Sequence, residues 1–181
     1  MRILRGPWGE RLAFLLAAAL LFLGVFAWQP AIYGNDGAAI QRYVQRDRSW
    51  GGRVQVLAVE DQGRERFAVF RLEGDRSGDR WITHFRQNAH GDYAAYHDDI
   101  RPMTEAEGGI WTASSGVMEP DGGQFFAVWC EEPRMAELRV RFGPRPAQRV
   151  PIRETPQLVI LRGGENHVTE YTFHTADGGE L

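Results

Sequence analysis

The sequence predicts an α+β fold. An N-terminal transmembrane helix leads into one short helix, packed on a mostly antiparallel β-sheet or sandwich of about 8–10 short strands. The prediction rests on an unbroken apolar run near the N-terminus, on a single stripe of apolar residues at helical spacing, and on a long series of short apolar runs separated by Gly- and Pro-rich connectors.

The apolar run is LAFLLAAALLFLGVFAW, Leu12 to Trp28, with no polar interruption. A core helix would show a polar face at helical spacing, and this run has none. With Ala31, Ile32 and Tyr33 beyond it, the span approaches the roughly 20 residues that a bilayer crossing needs. Arg2, Arg5 and Arg11 precede it, whereas Asp36 is the first charge after it. Cationic flanks stay cytoplasmic, so the expected topology is a single pass with the N-terminus inside and the body outside. The alternative is a signal peptide cleaved near Ala27, after Val25-Phe26-Ala27, which releases the body. The expected division is therefore an anchor or uncleaved signal over residues 1–33 and an extracytoplasmic α+β domain over residues 34–181.

Asn35-Asp36 can cap a helix running to about Arg46, on which Ile40, Tyr43 and Val44 form a narrow apolar stripe. The period then changes to two. RVQVLAVE alternates, with Val54, Val56 and Ala58 on one face, and RFAVFRLE beyond the DQGRE turn is its hairpin partner. RWITHFR and DYAAYHD make the next hairpin. Further strands are expected at Gly109 to Ala113, Gln124 to Cys130, Ala136 to Phe142, Arg149 to Glu154, Gln157 to Leu161 and Val168 to His174, with turns such as EPDGG, FGPRPAQ and RGGEN between them.

Composition narrows the function classes. All 21 basic residues are Arg, 18 of them beyond residue 33, where 23 acidic residues outnumber them. A mildly acidic body with interspersed signs lacks the basic face that nucleic acid requires. Cys130 is alone, so there is no intrachain disulfide and no CxxC pair; in FFAVWCEE it reads as a small buried residue. Glu131-Glu132 reads as the solvated end of that strand. Ser114-Ser115-Gly116 is not a nucleophile elbow, no helix follows RGGEN to make a phosphate cradle, and no cofactor is expected.

One stretch concentrates chemistry. NAHGDYAAYHDD, Asn88 to Asp99, holds two of the five histidines and three aspartates. Lying between two strand candidates, it is first a turn, with Gly91 free to take positive φ. If His90-Gly91 form a two-residue loop, His84 faces His97 across the ladder, and Asp99 can complete a metal site. A four-residue loop makes the two histidines diagonal neighbours, and a three-residue loop puts them on opposite faces. His84, His97 and Asp99 are thus the metal-ligand candidates. The competing reading is a hairpin with surface or cross-strand histidines.

A membrane-spanning N-terminus leads into AAIQRYVQRD and then RFAVFRL. A hairpin of the type F-x-x-N-x-x-G-D-Y follows (Phe85, Asn88, Gly91, Asp92, Tyr93), and the chain closes with VTEYTFHTADGGEL. This layout resembles small, uncharacterised, N-terminally anchored extracytoplasmic proteins of Bacillus-like Gram-positive bacteria. The resemblance implies location and build, and brings no catalytic residues with it.

The expected function is a membrane-tethered extracytoplasmic module that binds an envelope protein, an envelope polymer or a small ligand without catalysis. Trp50, Trp81, Trp111 and Trp129 are available for a binding face, although most Trp in a domain of this size are core. Two alternatives stand beside it: a metal-dependent extracytoplasmic enzyme using His84, His97 and Asp99, and an accessory subunit of a membrane complex, its span packing through Ala17, Ala18, Ala19 and Gly24.

Overall fold

The computed structural model describes residues 11, 14–21, 34–47, 50–74, 78–95, 100–115 and 123–181. Contacts divide the chain into two compact units, residues 1–31 and 32–181. In the first, residues 14–21 are helical and exposed. Among the described residues no helix is long and apolar enough to cross a membrane, and the remainder of the Leu12–Trp28 run lies outside them.

The second unit begins with the expected helix, α1 (Gly37–Asp47). Asp36 caps it twice. Its carbonyl accepts the Ile40 amide at 2.9 Å, and its Oδ1 accepts the Ala39 amide at 2.7 Å, satisfying donors that the first turn leaves open. Asp36→Ala is expected to cost about 1 kcal/mol of unfolding free energy, read from urea denaturation. An unchanged midpoint would show that the cap contributes nothing.

Twelve strands are described, more than expected: β1 (Val54–Gln62), β2 (Glu65–Leu72), β3 (Trp81–Gln87), β4 (Tyr93–Ala95), β5 (Arg101–Pro102), β6 (Thr104–Glu107), β7 (Ile110–Ser114), β8 (Gln124–Cys130), β9 (Met135–Phe142), β10 (Gln148–Pro151), β11 (Gln157–Gly164) and β12 (Val168–Thr175). All the pairings are antiparallel, and they make three sheets where one sheet or a two-sheet sandwich was expected. The first has order β1-β2-β3-β4 with β5 also on β3, the second β11-β8-β7-β6, and the third β10-β9-β12. Strands β5 and β6 escaped the sequence reading because each is short, one contains Pro102, and β6 (TEAE) is exposed throughout.

Layering follows from which faces are apolar. Ile40, Tyr43 and Val44 of α1 pack on Val54, Ala68, Phe70 and Phe85 of the first sheet. The opposite face of that sheet, with Phe67, Val69 and Ile82, packs on Phe125, Ala127 and Trp129 of β8. Phe126, Val128 and Cys130 point the other way, onto Leu138, Val140 and Phe173 of the third sheet. The order is thus helix, sheet, sheet, sheet. The middle sheet is covered on both sides, which is why β8, QFFAVWC, is buried at every position.

One register differs from the alternation read in RVQVLAVE. A bulge lies between Val56 and Ala58, opposite Phe70 and Val69. Val54 and Val56 therefore face α1, while Leu57 and Ala58 belong to the core between the first two sheets.

The chain before α1 is pinned by Arg66. Its guanidinium forks onto Asp61 at 2.6 and 2.7 Å, donates to the Gly34 and Asn35 carbonyls, and lies 4.0 Å over the Tyr93 ring. The hydrogen bonds from Arg66 hold the Asp61 carboxyl below its ordinary value of 3.8. A depressed carboxylate stabilises the fold fully above its unfolded value and loses that contribution as pH falls toward the folded one. Acid titration of stability is therefore expected to be shallower below about pH 4 in Asp61→Asn than in the parent chain. Superimposable profiles would remove Asp61 from the acid response.

Candidate functional site

The hairpin at Asn88 closes as a three-residue loop. The Asn88 amide donates to the Asp92 carbonyl at 2.8 Å, and Gly91 takes φ 89°. Asn88 Oδ1 accepts the His90 and Asp92 amides at 2.8 and 3.0 Å, so this residue builds the turn with its own side chain. A left-handed residue closing a three-residue turn is what Gly91 supplies without steric cost. This is the loop length for which the two histidines were expected on opposite faces. His97 and Asp99 lie outside the described residues. Among the described residues no group of three or more His, Cys, Asp or Glu is placed to hold a metal ion.

His84 is buried in the core between the first two sheets. It stacks flat on Phe67, with centroids 4.5 Å apart, and meets Phe125 edge-on. Its Nε2 lies 3.6 Å from Glu65 Oε2, and Arg162 of β11 reaches that same oxygen. Partial burial holds the Arg162 guanidinium below its ordinary value. A carboxylate, an imidazole and a guanidinium from two sheets thus close one end of this core. At the other end Arg80, 6 % exposed, grips Glu131 with three bonds of 2.8 to 3.0 Å and lies over the Trp111 ring. Glu131 also accepts the Trp129 indole N–H at 2.7 Å. Glu131 is a partner for buried groups and not simply the wet end of a strand.

The other described histidines stand apart: His90 is exposed in the turn, His167 lies 3.5 Å from Gln124 Nε2, and His174 pairs with Thr172. Cys130 is fully buried, as expected, and burial pushes its thiol up. That removes the thiolate character a nucleophile requires. Of the tryptophans singled out in the body, Trp129 is buried, and Trp50, Trp81 and Trp111 are half-buried.

The body presents a groove of about 380 Å³ where the second and third sheets part. Its floor is the β6–β7 side of the second sheet, with Thr104, Thr112 and Ser114 beside Phe126; its wall is β12, with Val168 and Tyr171; Arg101 of β5 stands at its rim. Tyr171 is 39 % exposed, and its ring is held against Phe126 and Phe173 at 5.1 and 5.5 Å. One arm of Arg101 donates to the Ser114 carbonyl at 3.2 Å, fixing the charge beside the hydroxyls. The volume is in the range of small-ligand sites, and hydroxyls, one cation and a fixed aromatic ring are a recognition set; no carboxylate, imidazole or thiol is among the described lining residues.

A second, more open hollow of about 610 Å³ lies between α1 and the Trp50–Arg53 turn. Two of its polar side chains are committed internally. Gln45 donates to the Gly52 carbonyl and accepts the Val54 amide, and the Trp50 indole donates to Val44.

The groove residues were not legible in the sequence. Alternation puts Tyr171 with Phe173 on an inward face, and only its place on an edge strand leaves it open. No family model, no curated protein and no solved structure matches the chain.

Proposed function

We propose that this chain is a membrane-tethered extracytoplasmic binding module, with the Leu12–Trp28 run as its tether and the groove beside Tyr171 as its binding surface. The tether rests on the uninterrupted apolar run and on the arginines confined to its N-terminal side. The observation that carries the binding role is the groove: a fixed, exposed aromatic ring and a cation flank a row of hydroxyls.

One labelling experiment tests both halves. Cys130 is buried, so Thr104→Cys introduces a single accessible thiol on the groove floor. A membrane-impermeant maleimide is expected to label it in intact cells, and more slowly there than in purified protein, because a bound partner shields the floor. Labelling only after lysis would overturn the topology. Equal rates in the envelope and in purified protein would overturn the binding role.

A further inference from the structure

The groove has the shape of an absent strand. The second sheet has four strands and the third has three, and the floor residues Thr104, Thr112 and Ser114 belong to the two strands, β6 and β7, that lie beyond β12. The hydrogen-bonding sides of β12 can be assigned. The Ile152 amide donates to Ala136, which places the even-numbered residues of β9 toward β10 and the odd-numbered ones toward β12. Arg139 therefore bonds with its partner Thr172, while Phe173 and Tyr171 turn their backbone N–H and C=O outward.

The chain itself already uses part of that edge. Residues 179–181 fold back antiparallel to β12: the Thr175 amide donates to Gly179 at 2.8 Å, Glu180 bridges His174, and the Leu181 amide donates to the outward Phe173 carbonyl at 3.0 Å. Leu181 also packs on the core beneath. The next outward residue along the edge is Tyr171, which lines the groove.

We propose that the groove receives an extended, carboxylate-bearing peptide segment of a partner protein, which adds to β12 as the next strand. Tyr171 supplies the backbone pairing, and the strand continues the line begun by Leu181. Thr104, Thr112 and Ser114 lie beneath it. Arg101, the charged residue of the lining, selects carboxylates. An extended chain satisfies the outward amide and carbonyl in a way that a saccharide does not, because strand addition supplies donor and acceptor at the spacing of the edge. This inference rests on the groove being the binding surface and specifies what occupies it.

The register makes the edge testable in this chain. Residues appended after Leu181 fall opposite Thr172 and then Tyr171, at the high effective concentration of a direct linkage. We would append Thr-Val-Thr-Glu-Thr-Glu, whose Val and two Glu alternate onto the face that Leu181 and Tyr171 share, and, as a control, the same segment with its first two residues replaced by Pro, and follow the Tyr171 amide by hydrogen exchange in detergent. The expected result is that the parent extension slows Tyr171 exchange about tenfold or more relative to the Pro control. Replacing its glutamates with glutamine is expected to weaken that protection, and 0.5 M salt to reduce the difference. Equal exchange in parent and Pro extensions overturns strand addition, and equal protection by Glu and Gln versions overturns the carboxylate preference. Loss of maleimide shielding at Thr104→Cys in the envelope would instead remove the binding role itself. Shielding that is relieved by digesting envelope polysaccharide, and not by digesting protein, keeps that role and replaces the peptide with a saccharide.

Discussion

Glu131→Ala is expected to destabilise the fold by about 3–5 kcal/mol, the cost of leaving a buried charge without its partner. The guanidinium of Arg80 is almost wholly enclosed, and Glu131 is its carboxylate. The same truncation strands the Trp129 indole N–H, which is held in the core between the first two sheets and donates to Glu131 Oε1. An unsatisfied buried donor adds to the loss. Glu131→Gln keeps an acceptor for the indole and loses the charge, so it should fall between parent and alanine variant in urea titration. The double variant Arg80→Met/Glu131→Leu removes both charges together and is expected to regain much of the loss. If the double variant is as unstable as Glu131→Ala, stranding of the buried guanidinium is not the cause.

The second large effect is at the opposite end of the same core. Arg162→Met is expected to cost about 2–4 kcal/mol: its side chain is a third exposed, as that of Glu131 is, but here no buried indole donor is stranded as well. The loss arises at Glu65, whose side chain is 6 % exposed and which is left beside His84 without its guanidinium. Truncating the other partner is the milder change, since Arg162 can turn its charge toward water. Glu65→Gln should therefore cost less than Arg162→Met, and combining the two should cost less than the sum of the single changes. Equal costs, strictly additive in the double variant, would show that the two groups do not act as a pair in solution.

These predictions also mark where the sequence stops being readable. Local chemistry was legible. Asp36 caps α1, the stripe Ile40, Tyr43 and Val44 is buried as its spacing requires, and the strand candidates from Gln124 onward reappear within one to three residues of their expected bounds. Each depends on contacts within a few residues. Glu131 was not legible, because a pair of acids after an apolar run has the same spelling whether it meets water or Arg80, 51 residues away. The face of Ala58 was not legible either, since a bulge is set by the partner strand and not by the strand that carries it.

The candidate site divides in the same way. In the histidine hairpin the turn residues Asn88 and Gly91 could be read from sequence, because an Asx side chain and a left-handed glycine act locally; the loop length, and with it the facing of the strands, could not. By itself the sequence determined the helix and its cap, most of the antiparallel strands, the Asn88 turn, and the burial of Cys130. Only the tertiary structure decided that the strands divide into three sheets, that the middle sheet is covered on both faces, that ion pairs close both ends of one core, and that β12 ends up as a partly open edge beside Tyr171. The physical reason is range. Caps, turns and periodicity act over a few residues, whereas sheet membership and edge position are set by pairing between segments far apart in the chain, where many strands of similar pattern compete and packing alone selects among them.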